Sequence, residues 1–133
     1  MIVRAGLVIL GLLHLTWGIP AVVAPRWFFD TFPWVGPGWT AAYPPFNVHL
    51  MTDVGAAFTT LGVLLLVAAA LGDRRVTAVV LLGLIVFSTI HLVFHLGNHG
   101  ELSGVELPAS LATLAAGVAA PVFLLVLSRR QPA

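Results

Sequence analysis

The chain has 133 residues, of which 59% are hydrophobic and 8% charged, with a mean hydropathy of +1.05. A soluble domain carries about a quarter charged residues, so this composition excludes a soluble globular protein and indicates an integral membrane protein. The net charge of +1 is uninformative, and nothing in the sequence resembles a basic face for nucleic acid. The absence of cysteine excludes disulfides, thiolate metal sites and iron–sulfur clusters.

Four apolar segments follow one another along the chain, each close to the roughly 20 residues that span a bilayer. We predict helices over about 3–24, 48–71, 76–97 and 107–128. Asn47 is the expected N-cap of the second helix, and Pro108 fits the first turn of the fourth. The whole chain then forms one all-α domain, a membrane four-helix bundle that runs up-down-up-down.

The arginines predict the orientation of this bundle. Arg4, the Arg74–Arg75 turn and Arg129–Arg130 all fall at one end of the threaded helices, and Arg26 alone falls at the other. Basic residues favour the cytoplasmic side of a membrane. We therefore expect both termini in the cytoplasm, in a bacterial cytoplasmic membrane.

The segment between the first two predicted helices, residues 25–46, is an outer loop that holds eight of the thirteen aromatic residues. One interpretation is an aromatic belt, which anchors membrane proteins at the depth of the lipid headgroups. The other is a lid that folds over the outer mouth of the bundle and keeps water from a site inside it. The sequence leaves both interpretations open, and one loop can serve both purposes.

Ionisable residues inside membrane segments are costly, and each is therefore a candidate for function. Apart from Arg4 at the end of the first, the predicted helices contain five of them: His14, His49, Asp53, His91 and His95. The second and third helices are antiparallel and joined by a short turn, so residues at equal depth have numbers with a constant sum. This rule pairs His49 with His95 and Asp53 with His91. The same rule applied to the first and second helices places His14 about one turn deeper than Asp53.

Matched depth and helical spacing predict a transition-metal site in the outer half of the membrane. Imidazole and carboxylate ligands suit iron, copper or zinc. His49, Asp53, His91 and His95 would supply four ligands, and His14 would be a fifth ligand or would orient one of the four. The structural alternative is a set of hydrogen bonds that hold the helices together.

A b-type haem is the second cofactor that this arrangement could hold, because two histidines on facing helices are its usual ligands. His49 with His95, or His14 with His91, could flank the iron. Against haem, few basic residues lie at the outer end to bind its propionates. His99, just beyond the third helix, is equally compatible with a solvated loop and with a ligand.

The segment PPFNVHLMTDVGA, residues 44–56, resembles a pattern in small four-helix membrane proteins of actinobacteria that are loosely DoxX-like. Matching positions are Asn47, His49, Leu50, Asp53, Gly55, His91 and His95. Val48 departs from the pattern, which has an acidic residue there, and this argues against a carboxylate-rich di-metal site. The resemblance implies a four-helix fold and a His/Asp site, and it brings no activity with it.

The function predicted from the sequence is redox or other metal-dependent chemistry on a small or hydrophobic substrate, with a metal-dependent membrane oxidoreductase as the enzyme class to test. The alternatives are a haem electron-transfer subunit and a non-catalytic assembly subunit. Expected partners are the lipid bilayer, a second copy of the chain or a membrane redox partner, and a small hydrophobic molecule or quinone. The sequence decides neither the substrate nor whether catalysis occurs.

Overall fold

The computed structural model describes residues 1–36 and 38–130, and this part of the chain contains helices and no strands. The helices are α1 (Ile2–Val23), α2 (Pro25–Thr31), α3 (Val48–Leu71), α4 (Arg74–Gly97) and α5 (Glu106–Arg130). Four of them, α1, α3, α4 and α5, are long and apolar enough to cross a membrane. The fold is therefore all-helical and consistent with a multi-pass membrane protein.

The short helix α2 is additional to the four predicted helices, and it lies inside the segment 25–46 expected to be a loop. Pro25 begins it, since proline at the first helical position needs no hydrogen-bond partner for its nitrogen. An ion pair one turn apart, Arg26 Nε to Asp30 Oδ2 at 2.7 Å, supports the short helix on its exposed side. The Thr40 hydroxyl donates to the Phe29 carbonyl oxygen at 2.6 Å, which ties the following turn back onto α2.

The ends of the long helices follow the expected capping chemistry. The Asn47 side chain accepts a hydrogen bond from the Leu50 N–H, as an N-cap does. The α4 helix begins at Arg74, two residues before the predicted start, because the Asp73 carboxylate already caps the N–H groups of Arg75 and Val76. Gly72 ends α3 with a φ of 66°, a left-handed conformation that glycine adopts without strain.

Helices α1 and α3 pack against each other through glycines. A Cβ added at Gly18 would lie 2.5 Å from the Thr59 backbone nitrogen, and one added at Gly62 would lie 2.9 Å from the Gly11 carbonyl oxygen. Gly18 also opposes Gly55, so the higher-numbered glycine of α1 meets the lower-numbered one of α3 and the two helices run antiparallel. Small residues of this kind allow the backbones of membrane helices to approach closely.

One end of the bundle, the arginine end, gathers Met1, Arg4, Gly72, Arg74 and Ser128 around a common cavity. The Arg74 guanidinium there donates to the Arg129 carbonyl oxygen at 3.1 Å. The opposite end, the histidine end, holds the start of α3, the end of α4 and helix α2.

Each end has its own apolar core. The larger core, nearer the arginine end, combines α1, α3, α4 and α5 through buried residues that include Leu7, Leu65, Leu81 and Leu124. The smaller core lies at the histidine end, where Phe28 and Phe29 of α2 pack with Ala21 and Met51. The candidate site residues lie towards the histidine end, near this smaller core.

Candidate functional site

The clearest polar grouping at the histidine end is His91 with His95 on α4. Their ring centroids are 4.8 Å apart on successive turns, and both side chains are partly buried. Phe87 and Phe58 flank His91, with ring centroids 5.8 and 6.5 Å away. The two imidazoles therefore form a polar pair with aromatic rings on its deeper side.

Tyr43, from the aromatic segment, contacts the His95 member of this pair. Its hydroxyl donates to the Asn98 carbonyl oxygen at 3.1 Å and lies 2.8 Å from His95 Nδ1. A hydroxyl has one proton, so both bonds form only when His95 Nδ1 carries a proton and donates it. That tautomer leaves His95 Nε2 with a free lone pair, the atom that a neutral histidine offers to a metal or a proton donor.

Contacts between two loops hold Tyr43 in place. The Glu101 N–H donates to the Ala42 carbonyl oxygen at 2.8 Å. Gly100, with a φ of 57°, packs so closely on Ala42 and Tyr43 that a side chain there would collide with both. Burial raises the pKa of the Tyr43 hydroxyl, which therefore keeps its proton throughout the neutral range.

His14 is the most enclosed of the five predicted site residues, at 6% exposure within α1. Its Nδ1 lies 2.7 Å from the Leu10 carbonyl oxygen, which can only accept, so Nδ1 donates and Nε2 is again unprotonated. The ring packs against Trp17 and Phe58, with centroids 5.4 and 5.7 Å away. Phe58 thus contacts both His14 and His91, and it links the two imidazoles through an aromatic ring.

The pair on α3 has a different setting. His49 Nε2 lies 3.5 Å from Asp53 Oδ2, and the two side chains are 85% and 62% exposed. They interact with each other on the outer surface of α3. The structure does not bring them together with His91 and His95, and among residues 1–36 and 38–130 no three histidine or acidic side chains form a group able to hold a metal ion.

The rotation of α3 about its axis explains this separation. Gly55 and Gly62 pack against α1, and this contact directs the face that carries His49 and Asp53 away from the neighbouring helices. The relative depth of α3 and α4 agrees with the constant-sum rule. The ring of Phe58 contacts Phe87, and the rule pairs Phe58 with the residue just before it, Val86. The predicted rungs thus lie at similar depth and on different faces.

His99 and Tyr43 lie outside the four long helices. His99 lies in the turn beyond α4, where its carbonyl oxygen accepts from the Leu102 N–H at 3.1 Å. Tyr43, the partner of His95, is a residue that the sequence analysis did not single out. It was one aromatic residue among eight in its segment, and no spacing rule connects it with α4.

The aromatic segment divides between the core and the surface. Phe28 and Phe29 are buried in the smaller core, whereas Trp27 and Trp34 are exposed, with their ring centroids 6.1 Å apart. Tyr43 contacts His95. The interpretations of this segment as a membrane belt and as a lid both stay predictions.

Comparison with known proteins identifies no relative. No family model matches the chain, and neither a curated protein nor a solved structure matches it significantly. The resemblance to small actinobacterial membrane proteins consequently stays a prediction.

Proposed function

We propose that this protein is a multi-pass membrane protein that binds a transition-metal ion at His91 and His95 on the outer side of a bacterial cytoplasmic membrane. The observation that carries the proposal is the close, partly buried histidine pair, in which Tyr43 fixes the tautomer of His95. A hydrogen bond to the second ring nitrogen is the usual way in which proteins orient a metal-binding histidine.

The pair would supply two nitrogen ligands, which suit copper, zinc or iron. A metal ion held by two protein ligands keeps open positions for water, a small substrate or a redox partner. Such an ion can act as a Lewis acid, and copper or iron can also transfer electrons. An ion with two protein ligands leaves more easily than one with four. Metal handling, or metal-dependent chemistry on a small or hydrophobic molecule, is the function that fits these properties.

The proposed orientation places the arginine end in the cytoplasm, with both termini. Its support is the meeting of Arg4 and Arg74 around one cavity, together with the preference of basic residues for the cytoplasmic side. The histidine end then faces outward, and Trp27 and Trp34 lie where aromatic residues are favoured. Metal ions would reach the pair from outside, past Tyr43.

The test is the metal content of the purified protein, measured by elemental mass spectrometry. We expect about one ion per chain bound at His91 and His95. His91→Ala should lose this ion, because removal of one of the two ligands leaves a single imidazole. Thr113→Ala on α5 is the control, since the Thr113 hydroxyl donates to the Ala109 carbonyl oxygen and belongs to neither polar pair, and it should leave the content unchanged. Equal metal content in His91→Ala and the unmodified protein would contradict the proposal.

An absorption spectrum of the same sample tests haem. A Soret band that is lost in His91→Ala would replace the metal ion in this proposal with haem. The absence of metal and haem alike, with His91→Ala altering only the stability, would favour an assembly subunit.

A further inference from the structure

The exposed surface of α3 carries a continuous seam. Its positions recur at alternating intervals of four and three, and all of them are exposed: His49, Asp53, Ala56, Thr60, Val63 and Val67. This is the spacing with which two helices pack along a shared left-handed seam. We call these six residues the α3 seam.

The polar end of the α3 seam, His49 and Asp53, is poorly suited to contact with lipid. His49 and Asp53 lie in the first two turns of a helix that is apolar enough to cross a membrane. Ionisable groups in such a segment generally face protein or water because hydrocarbon solvates them poorly. Exposed in a single chain, the two residues therefore require either water, at this end of the helix, or the surface of another protein.

The composition of the seam also differs from that of a lipid-facing surface. Most exposed residues along α4 are branched and apolar, among them Val79, Leu82, Val86, Ile90 and Val93, although Gly83 and Thr89 are exposed there too. The α3 seam instead has Ala56 and Thr60 next to its polar end, and small residues let membrane helices approach. Beside them, Ile19, Val22 and Val23 of α1 border a groove of about 340 Å³ that could receive side chains of a second helix.

We propose that the α3 seam binds a second copy of this chain, and that His49 and Asp53 of the two copies together form a metal site. Two copies in one membrane share an orientation, so a two-fold axis along the membrane normal brings residues of equal depth together. Two imidazoles and two carboxylates then surround the axis, and the two carboxylates would balance the charge of a divalent ion. Four nitrogen and oxygen ligands are the number that a tetrahedral zinc site requires.

A second copy is favoured over an unrelated partner because the His49–Asp53 pair is half of such a site. Each chain supplies two ligands, 3.5 Å apart, and symmetry alone doubles them without any further residue. The inference rests on the membrane-spanning part of the proposed function, and it is independent of metal binding at His91.

Cross-linking through introduced cysteines tests the interface, because the chain has none of its own. In membranes that contain the full chain, Ala56→Cys should form a disulfide-linked dimer under mild oxidation, since seam residues approach within the distance that a disulfide spans. Val86→Cys on α4 is the matched control, with an exposed apolar position at the expected lipid face, and it should remain monomeric. Equal cross-linking at the two positions, or none at Ala56→Cys, would overturn the proposal.

Zinc addition tests the metal site at the same interface. Zinc should increase the cross-linked fraction of Ala56→Cys several-fold at low protein density, and His49→Ala or Asp53→Asn in that background should abolish the increase. A zinc response that persists in both variants would overturn the proposed ligands. His91→Ala should leave cross-linking unchanged, so failure of the His91 site and failure of the dimer site are separate results.

Discussion

Two polar pairs with the same spacing have opposite surroundings in this protein. His91 and His95 are partly buried between aromatic rings and are tied to Tyr43, whereas His49 and Asp53 lie exposed on the far side of α3. Both pairs occupy neighbouring helical turns near the histidine end. The difference shows that helical periodicity and depth place a residue along a bundle, while the contacts of its helix decide which partners it meets.

The two helices also pack in different ways, which explains the contrast. Backbone contacts at Gly18 and Gly55 hold α3 against α1 and fix its rotation. Between α3 and α4, near the histidine pair, the ring of Phe58 contacts that of Phe87. A glycine interface therefore controls the position of one pair, and aromatic packing with a loop tyrosine controls that of the other.

Gly18→Ala should have the largest effect, since it separates the helices that set the α3 rotation. The added methyl would lie 2.5 Å from the Thr59 backbone nitrogen, which cannot move as a flexible side chain can. Overpacking of this kind costs about 1–3 kcal/mol, and we expect the upper part of that range. Thermal unfolding in detergent, followed by circular dichroism, measures the loss.

Gly83→Ala is the control for that experiment. Gly83 lies within α4 with nothing within 4 Å of an added Cβ, and alanine favours a helix over glycine by up to about 1 kcal/mol. We expect unchanged or slightly higher stability. A loss as large as that of Gly18→Ala would mean that the glycine contacts of α1 and α3 are not special.

Tyr43→Phe should have an intermediate effect, confined to the His91–His95 pair. It removes the hydroxyl that fixes the His95 tautomer and keeps the ring. Loss of a group that orients a metal ligand costs about 10–100-fold in metal affinity, and we expect about tenfold here because His91 is unaffected. Titration of the purified protein with copper or zinc measures it, and Trp34→Phe is the aromatic control. Unchanged affinity in Tyr43→Phe would remove the tyrosine from the site.

Acidification should have the smallest effect, at the turn that joins α3 and α4. Hydrogen bonds from the Val76 and Arg75 N–H groups hold the pKa of Asp73 below its usual value of 3.8. A lowered pKa in the folded state means that the carboxylate stabilises the fold above pH 3.8 and that this contribution is lost as the pH falls through the lower, folded value.

Asp73→Asn tests that pH dependence, because asparagine retains the cap without the charge. The thermal midpoint of the unmodified protein should fall slightly more than that of Asp73→Asn as the pH drops below about 3.8, the usual aspartate value. Parallel pH curves for the two proteins would show that Asp73 contributes no charge-dependent stability.

The sequence allowed prediction of the long helices because their signals are local. Apolar length, the Asn47 cap and the short turn before Arg74–Arg75 all act within a few residues, and the structure contains them. The added helix α2 depends on a proline start and one ion pair, signals too short to recognise inside an aromatic segment.

The candidate site was harder to predict because its contacts are not local. The ring contact between Phe58 and Phe87 agrees with the depth rule, since depth follows from helix length. The direction in which His49 and Asp53 point depends on the rotation of α3, which is set by the glycines of α1 and α3 that pack together. The Tyr43–His95 bond joins a loop to a helix over 52 positions, and no pattern within either segment reveals it.

The most direct test of the central claim, that the two pairs are separate sites, is the stoichiometry of cobalt(II) bound to the purified full-length protein. Cobalt replaces zinc and iron at nitrogen and oxygen ligands, and its absorption reports binding. We predict about one ion per chain at His91–His95 and about one half per chain at the two-fold site. His91→Ala should then retain about one half, and His49→Ala about one. Loss of all bound cobalt in either single variant would contradict the account, because it would place both pairs in one site.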